Sequence, residues 1–475
     1  MERQSKPAVS MMQEITDQSS RTVLLNTFVV KKKRCRVYFH RGTLIWETAK
    51  PPYTRWTLPM TDVLAVRYGD DWIHGVNLKE KQPPPTSPTS PTVCPTNFIL
   101  HYAVRGPKNK WSHHSVTMSH TDPRQVASWV KTIRNYLMGL THRPRKILLF
   151  INPFGGKKKG LKIWEKDVQP LMTIAGIDAK TLVTERVGHI RDVLLSADLT
   201  DFHAIVCIGG DGTVAEVING LVLRTSRDRQ IDPNNPEVNL PTPRLPIGVI
   251  PSGSTDTIAY SLHGTTDVQT ATIHIIFGDS TGLDVSSVHN DQSLLRLYAS
   301  MLSYGYLGDV IRDSEKFRWM GPQRYDYSGW LTIRGKFFMV NGANLACGCS
   351  RSPMGFSPHC HVGDGCVDVI LVRHTSLFNN IRMLLRLSSK QKTLYDLPFV
   401  EVYRAREFTF RTLPTLHMQS TSEISNRYLN SSLSVWNCDG EVIDSSNVKI
   451  RVHCQLVNIF TRRAQESVHG RTCFC

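Results

Sequence analysis

Three apolar segments of this 475-residue chain each run into a turn of small residues. The turns are Asn152-Pro153-Phe154-Gly155-Gly156, Gly209-Gly210-Asp211-Gly212-Thr213 and Pro251-Ser252-Gly253-Ser254-Thr255-Asp256. Glycine lets backbone N–H groups approach phosphate oxygens at positions where a Cβ atom would clash. A helix that starts behind such a turn adds the positive end of its dipole. The pattern favours a nucleotide site, and ordinary strand–helix turns are the alternative.

Asp211 is the residue in these turns that could take a proton. It lies between glycines, after a strand predicted over residues 204–208 and before a helix predicted over residues 214–223. Phosphoryl transfer needs positioning, charge neutralisation and a group that accepts the proton of the attacking hydroxyl. We therefore predict that Asp211 is the catalytic base, and a helix N-cap is the alternative role.

The three turns need a sheet that brings them together. Strands are predicted over residues 146–151, 204–208 and 247–250, and the carboxyl ends of neighbouring parallel strands meet at one crevice. None of the turns is a P-loop, because no Gly-Lys-Ser or Gly-Lys-Thr closes the first one, and no Gly-x-Gly-x-x-Gly segment is present. These features predict an α/β lobe that binds nucleotide at one edge of its sheet.

The order of these motifs resembles the catalytic domain shared by diacylglycerol and sphingosine kinases. The resemblance implies an α/β nucleotide-binding lobe followed by a β-sandwich lobe, with magnesium and ATP in the cleft between them. Residues 284–289, 304–309, 399–404 and 452–457 are similar to ceramide kinases in particular. The implied reaction is transfer of the ATP γ-phosphate to the primary hydroxyl of ceramide. A sphingosine or diacylglycerol kinase and a catalytically silent lipid-binding adaptor are the alternatives.

The resemblance also assigns site residues. Arg318 and Arg324 would bind phosphate oxygens, although a solvated charged helix explains them as well. Glu216 would orient nucleotide or metal, or is a plain surface glutamate. Asp439 and Glu441 would lie beside the ATP phosphates and ligate magnesium, although Asp-Gly is also a common hairpin turn. The implied ATP-binding residues are Asn152, Pro153, Phe154, Gly155, Gly156, Thr184, Gly210, Gly212, Thr213, Glu216, Gly253, Ser254, Thr255, Arg318, Arg324, Asp439, Gly440 and Glu441. The implied substrate-binding residues are Gly209, Gly210, Asp211, Gly212 and Asp309.

Two differences from the resembling families bear on the substrate. Sphingosine kinases carry an aspartate at the position of Ile311, so a contact with a free sphingoid amine is not expected. The chain also has only a short connection at residues 330–336, where ceramide kinases usually have a long insert. It keeps Gly155, Gly156 and Asp256, which differ in the ceramide-kinase-like relatives, and this favours an active kinase.

The first 140 residues read as short strands followed by a helix over residues 122–138, a layout that resembles a pleckstrin-homology domain. A hairpin between the first two strands would carry five basic residues and gather inositol phosphates, although a solvated loop is the alternative. Nucleic acid is not expected, because no interleaved aromatic residues could stack bases. The five residues are Lys31, Lys32, Lys33, Arg34 and Arg36.

The predicted domain organisation has five parts. A flexible N-terminus over residues 1–21 precedes the pleckstrin-homology-like domain at 22–140. The α/β lobe takes residues 143–282, the β-sandwich lobe takes 283–462, and a flexible tail takes 463–475. Strands expected over residues 448–452 and 455–460 would belong to the sandwich.

Composition restricts the partners and the compartment. Lysine and arginine number 57 against 40 acidic residues, a net charge of +17 that favours anionic surfaces and phosphates. No apolar run is long enough for a transmembrane helix, and the N-terminus lacks an apolar signal region. The 11 cysteines are scattered, which fits a reducing compartment. We expect a cytoplasmic protein that is peripheral on Golgi and plasma membranes.

Two further segments have competing interpretations. Residues 377–387, followed by Lys390 and Lys392, form a basic amphipathic stretch that could bind calmodulin or a membrane, although a core-facing helix is favoured. Cys347 and Cys349 lie near other cysteines, but their spacing does not fit the paired ligands of a zinc site.

Overall fold

A computed structural model describes residues 24–69, 95–156, 158–305, 325–326, 332–349, 352, 354–387, 393–412, 434–443 and 445–463. Asp309, Ile311, Arg318 and Arg324 lie outside the described residues, as do the predicted N-terminus at 1–21 and all but the first residue of the predicted tail at 463–475. The described chain divides into two compact units with a boundary between Pro144 and Arg145. Two short segments, Pro170–Ile177 and Ile276–Gly278, group with the first unit.

The N-terminal unit is a seven-stranded antiparallel sheet followed by helix α1, Pro123–Gly139. The strands are β1 Leu24–Val30, β2 Lys33–His40, β3 Thr43–Thr48, β4 Arg55–Pro59, β5 Val63–Tyr68, β6 Asn97–Arg105 and β7 Trp111–Ser119. Their order in the sheet is β4-β3-β2-β1-β7-β6-β5. The predicted strands and helix are confirmed, and one further strand, β4, is added.

Helix α1 covers the core of this unit with one apolar face. Val126, Trp129, Val130 and Ile133 are buried at the spacing of a single helical stripe. The carboxylate of Asp122 caps the helix by accepting a hydrogen bond of 2.9 Å from the backbone N–H of Arg124. The amphipathic pattern in the sequence therefore identified the helix correctly.

The larger unit contains two sheets and most of the remaining helices. The helices after α1 are α2 Gly160–Ile163, α3 Gln169–Ala175, α4 His189–Ser196, α5 Asp211–Asp228, α6 Thr257–His263, α7 Val268–Phe277 and α8 Leu377–Leu387, with a π-helical turn, Trp164–Val168, between α2 and α3. All of α3 except its first residue, and the last two residues of α7, belong to the segments that group with the first unit. Among the described helices, none is both long enough and apolar enough to cross a membrane. The strands are β8 Lys146–Ile151, β9 Asp178–Val183, β10 Ala204–Gly209, β11 Ile247–Pro251, β12 Ser280–His289, β13 Leu294–Tyr298, β14 Met301–Gly305, β15 Tyr325–Asp326, β16 Phe337–Ala343, β17 Val367–Arg373, β18 Val400–Ala405, β19 Glu407–Phe410, β20 Trp436–Cys438, β21 Glu441–Ile443 and β22 Val448–Phe460.

The first sheet brings the three turns to one edge. Its strand order is β13-β12-β22-β11-β10-β8-β9, and β19 pairs with β22. Strands β8 and β11 pair in parallel with β10 on either side, so the turns that follow these strands are neighbours. All residues of β10 and β11 are buried, which is why these strands are continuously apolar rather than alternating. The predicted α/β lobe is confirmed.

The second sheet has the strand order β15-β18-β17-β16-β14-β20-β21. An apolar cluster joins it to β12 and β22 of the first sheet through residues such as Val288, Leu302, Trp436 and Ile450. The strand-rich second part of the chain therefore packs sheet against sheet, as the predicted sandwich requires.

The last strand differs from its prediction. Residues 448–460 form the single strand β22, which lies between β11 and β12 in the first sheet. The prediction of two separate strands is wrong, whereas the first half of β22 packs against the second sheet through Val448 and Ile450, as a strand of the sandwich does. Gln455 has a φ of 49°, which is irregular for a strand. This irregularity falls where the prediction separated residues 448–452 from residues 455–460. Asp284 holds the irregularity by accepting a hydrogen bond of 2.7 Å from the backbone N–H of Gln455.

Candidate active site

A cavity of about 720 Å³ lies where the three turns meet the second sheet. The turns form one wall, and apolar side chains that were not predicted as site residues, including Met301, Phe356 and Leu387, form another. Of the described residues predicted to bind ATP or the acceptor, Pro153 and Gly209 are not in the lining. Those in the lining are Asn152, Phe154, Gly155, Gly156, Thr184, Gly210, Asp211, Gly212, Thr213, Glu216, Gly253, Ser254, Thr255, Asp439, Gly440 and Glu441.

The first and third turns are in close backbone contact at Gly156. This residue has a φ of +53°, and an added Cβ atom would lie 2.6 Å from the carbonyl carbon of Gly253. Gly155 is different, because its nearest neighbour to such an atom is the side-chain amide of Asn152 at 3.4 Å. Gly156 is therefore required by the packing of the two turns, whereas a small side chain fits at Gly155.

Asn152 shapes the first turn and attaches it to α5. Its side-chain oxygen accepts hydrogen bonds from the backbone N–H groups of Phe154 and Gly155, at 2.9 and 3.1 Å. Its amide nitrogen donates to the hydroxyl of Thr213 at 2.9 Å. Both ends of the amide thus make protein contacts that fix the turn.

Asp211 is the first residue of α5, so the helix begins before the predicted residue 214. Its carboxylate accepts hydrogen bonds from the backbone N–H groups of Thr257 at 3.1 Å and Ile258 at 2.9 Å. Asp211 therefore caps α6 and not its own helix, a contact that neither interpretation of the sequence included. A carboxylate offers about four acceptor positions, so two bonds from backbone N–H groups are compatible with a further contact to a bound hydroxyl.

Asp256 is a second carboxylate in the cavity lining that was not predicted as a site residue. It is 9% exposed, has a φ of 54°, and accepts a hydrogen bond of 2.8 Å from the backbone N–H of Gly253. Burial raises the pKa of Asp256 to about 6, with the Gly253 hydrogen bond opposing this shift and the charge of Asp211 adding to it. A carboxyl group at the end of a glycine turn was the signal that could have identified it.

Glu216 lies in the second turn of α5 and holds the neighbouring helix α4. Its carboxylate accepts hydrogen bonds from the backbone N–H of Gly188 and, at 3.2 Å, from that of Ile190. These bonds cap α4 and fix the loop that follows Thr184. Thr184 is buried, with 5% of its surface exposed. Glu216 also lines the cavity, and its predicted interaction with nucleotide or metal stays a prediction.

Asp439 and Gly440 form the turn between β20 and β21, with φ values of 48° and 94°. The hairpin turn is confirmed, and the segment also lines the cavity, whereas its predicted place beside the ATP phosphates stays a prediction. The buried carboxylate of Asp439 accepts hydrogen bonds from the N–H groups of Ala299 at 2.9 Å and Met301 at 3.0 Å, and from the Ser300 hydroxyl. Burial raises the pKa of Asp439, and the bond from Ser300 opposes that shift.

These contacts do not fit the predicted magnesium ligands. The oxygens of Asp439 are engaged by backbone and hydroxyl donors, and Glu441 forms an ion pair with Arg296. In the part of the chain that the structure describes, no group of three or more potential ligand side chains could hold a metal ion. Asp439 and Glu441, as placed, position the hairpin rather than bind a cation.

Models of three known protein domains match the chain. Residues 24–133 match the ceramide kinase PH domain, residues 146–288 the diacylglycerol kinase catalytic domain, and residues 321–475 the ceramide kinase C-terminal domain. A diacylglycerol kinase of Bacillus anthracis str. Sterne superposes with a TM-score of 0.47 and 18% identity over 67% of this chain and 97% of its own. The fold, the three turns and the catalytic-domain match make the chain a lipid kinase.

Full-length relatives define the family. The human protein named ceramide kinase is 34% identical, over 92% of this chain and 96% of its own length. The mouse protein of that name is 37% identical, over 78% of this chain and 85% of its own. The chain belongs to the ceramide kinase family. Membership of a kinase family implies the use of ATP together with a divalent metal ion.

Proposed function

We propose that the chain transfers the γ-phosphate of ATP to the primary hydroxyl of ceramide and releases ceramide 1-phosphate. The proposal rests on one observation. Asp211 lies in a cavity with three glycine-containing turns on one wall and the apolar side chains of Met301, Phe356 and Leu387 on another. This arrangement suits a polar phosphate donor and an acceptor hydroxyl carried by an apolar molecule. The relatives named ceramide kinase supply the identity of the acceptor.

The turns are proposed to bind the triphosphate. The close contact at Gly156 holds the first and third turns side by side, and their backbone N–H groups suit the negative charge of phosphate oxygens. Arg318 and Arg324 remain proposed phosphate ligands on the strength of the motif alone. Thr184 is proposed to lie near the nucleotide, on the loop that Glu216 fixes.

Asp211 is proposed to accept the proton of the attacking hydroxyl. The two N–H donors of α6 hold its carboxylate in one orientation, 2.9 and 3.1 Å from their nitrogen atoms. A hydroxyl loses its proton late in phosphoryl transfer, so a carboxylate can serve once the bond to phosphorus forms. We propose magnesium as the divalent ion; Asp439 and Glu441 do not fit as its ligands, so no step is assigned to it.

A substrate panel tests the proposal. Purified chain is incubated with radiolabelled ATP and, separately, with ceramide, sphingosine or diacylglycerol. We expect ceramide to be phosphorylated preferentially and Asp211→Asn to lower turnover by roughly 10²–10⁴-fold while nucleotide binding remains. Asp228→Asn is the matched control, because Asp228 ends the same helix and pairs with Arg224 at the surface. Near-normal turnover of folded Asp211→Asn, or preference for another lipid, contradicts the proposal.

The N-terminal unit is proposed to bind anionic lipids, including phosphoinositides, and so to place the enzyme on Golgi and plasma membranes. The side chains of its hairpin cluster, residues 31–34 and Arg36, are exposed. Lys31 and Lys32 occupy the turn with φ values of 48° and 64°, a conformation that favours asparagine and glycine. Two lysines in such positions support a binding role, since unfavourable backbone conformations cluster at functional sites.

Co-sedimentation with vesicles tests the lipid role. Alanine at Lys31, Lys32 and Lys33 is compared with alanine at Arg105, Lys108 and Lys110, which removes the same charge from the β6–β7 hairpin. Each basic residue near an acidic leaflet contributes about 1 kcal/mol, so we expect the first variant alone to lose most binding to phosphoinositide-containing vesicles. Equal binding by the two variants contradicts a specific role of the hairpin cluster.

A further inference from the structure

Helix α8 has two apolar faces, and one of them is exposed. Successive residues of an α-helix are rotated by about 100°, so Leu377, Phe378, Ile381 and Leu385 fall within an arc of about 100°, roughly one quadrant of the helix. Their side chains are 75%, 75%, 46% and 69% exposed. On the opposite face, Met383 and Leu387 are buried in the core of the larger unit. The inner face anchors the helix and leaves the outer face without a described protein partner.

The same helix forms part of the wall of the reaction cavity. Leu387, its last residue, lines the cavity, and the backbone carbonyl of Leu387 accepts a hydrogen bond of 2.9 Å from the hydroxyl of Ser352, another lining residue. An ion pair of 3.0 Å between Arg386 and Asp396 fixes this end of α8 from outside. Whatever covers the exposed face is therefore brought close to the cavity.

The composition of α8 points to a lipid surface. The helix carries Arg382 and Arg386 and no acidic residue, and Arg382 is exposed at the edge of the apolar quadrant. Apolar side chains bordered by arginine are typical of helices that lie in the plane of a bilayer, with the apolar side in the acyl region and the guanidinium at the head groups.

We propose that the exposed face of α8 inserts into the surface of a bilayer and holds the wall of the cavity against the leaflet. The inference rests on the proposed function, because an acceptor with an apolar tail stays in the bilayer and is best collected there. Ceramide would then pass from the leaflet into the cavity without crossing water. The hairpin cluster of the N-terminal unit supplies charge attraction, whereas α8 supplies apolar insertion at the site itself.

Vesicles without net charge separate the two contributions. The full-length chain is mixed with phosphatidylcholine vesicles that contain ceramide, in the presence of a calcium chelator. Leu385→Ser is compared with Leu161→Ser, a matched change at an exposed leucine of α2 that is 43% exposed. The double variant with Phe378→Ser and Leu385→Ser should lose more vesicle binding than Leu385→Ser alone. Losing a buried leucine or phenylalanine from the bilayer weakens partitioning by roughly tenfold, so we expect at least a tenfold loss for the pair and none for Leu161→Ser.

Activity gives the second measurement. With ceramide in vesicles, turnover of the double variant should fall in proportion to binding, and with a short-chain ceramide dispersed in water it should equal that of the wild type. Unchanged vesicle binding overturns the inference, and so does equal loss of activity toward both forms of ceramide. Normal vesicle binding together with lost calcium-dependent binding of calmodulin also overturns it, because the face would then serve a protein. If the wild type phosphorylates no ceramide and the variants still lose vesicle binding, the proposed function fails and the membrane face stands.

Discussion

Replacing Asp256 by asparagine measures what it costs the fold to keep a second carboxylate beside Asp211. Asparagine has nearly the same shape, and its side-chain oxygen can still accept the hydrogen bond from Gly253. The titrating charge is removed, and an NH2 group takes the place of the second carboxylate oxygen. The free energy of unfolding should therefore change through ionisation rather than through packing.

The direction and size follow from the pKa of Asp256. Burial raises this pKa from 3.8 to about 6, so the folded chain favours the protonated form. The stability that this preference gives is fully present below about pH 4 and is lost as the pH rises through 6. A shift of about two pKa units corresponds to about 3 kcal/mol. We expect Asp256→Asn to be more stable than the wild type by about 1–3 kcal/mol at pH 7.5, with little difference near pH 3.5.

Denaturant unfolding followed by tryptophan fluorescence, at pH values between 3.5 and 7.5, measures this difference. The unfolding transition of the larger unit is compared between wild type, Asp256→Asn and the control Asp228→Asn. Hydrogen bonding to Arg224 lowers the pKa of Asp228. The control Asp228→Asn should therefore gain no stability relative to the wild type as the pH rises. A difference between Asp256→Asn and wild type that does not grow between pH 4 and 6 refutes the assignment of a buried, destabilised carboxylate.

Three further changes test other contacts of the cavity. Gly156→Val should raise the Michaelis constant for ATP and destabilise the chain, because its Cβ atom would collide with Gly253 at 2.6 Å, whereas Gly155→Ala should change both only slightly. Equal effects of the two substitutions on ATP kinetics would argue against the packing of the turns. Glu216→Ala removes the cap of α4, so we expect a loss of 0.5–2 kcal/mol in unfolding experiments, roughly the usual cost of losing a cap, and weaker ATP binding. Asp439→Asn should lower stability by about 1.5–3 kcal/mol, because an NH2 group would replace a carboxylate oxygen that accepts from the backbone N–H of Ala299 or Met301, and this loss outweighs the removal of a buried charge. The magnesium concentration that gives half-maximal activity should not change, and a large rise in it would support Asp439 as a ligand.

Local patterns predicted the parts of the site that are local in sequence. Each strand, turn and helix unit around residues 151–160, 204–220 and 247–263 is continuous, so apolar runs and glycines were enough to locate the turns. The Asp439-Gly440 hairpin was recognisable for the same reason. The shared edge of the sheet followed from general rules for parallel strands.

Contacts between distant segments could not be predicted in this way. The acceptor role of Asp211 involves N–H groups 46 and 47 residues further along the chain. Asp439 is held by residues that precede it by 138 to 140 positions. Strand β22 pairs with β11 and β12 although long stretches of sequence separate them, and the pattern of apolar residues does not specify a partner strand.

Helix α5 explains why the motif around Asp211 has more than one function. In the first six residues of α5, the hydroxyl of Thr213 accepts a hydrogen bond from the side-chain amide of Asn152, Asp211 caps α6 and Glu216 caps α4. One helix therefore holds the surroundings of all three glycine-containing turns. A loss of activity in Asp211→Asn can then come from the missing base or from a displaced α6. Asparagine keeps one oxygen for the N–H of Ile258 but places an amide opposite that of Thr257. The substitution is a test of the base only if the free energy of unfolding and the affinity for ATP stay near the wild-type values, because a displaced α6 would lower both.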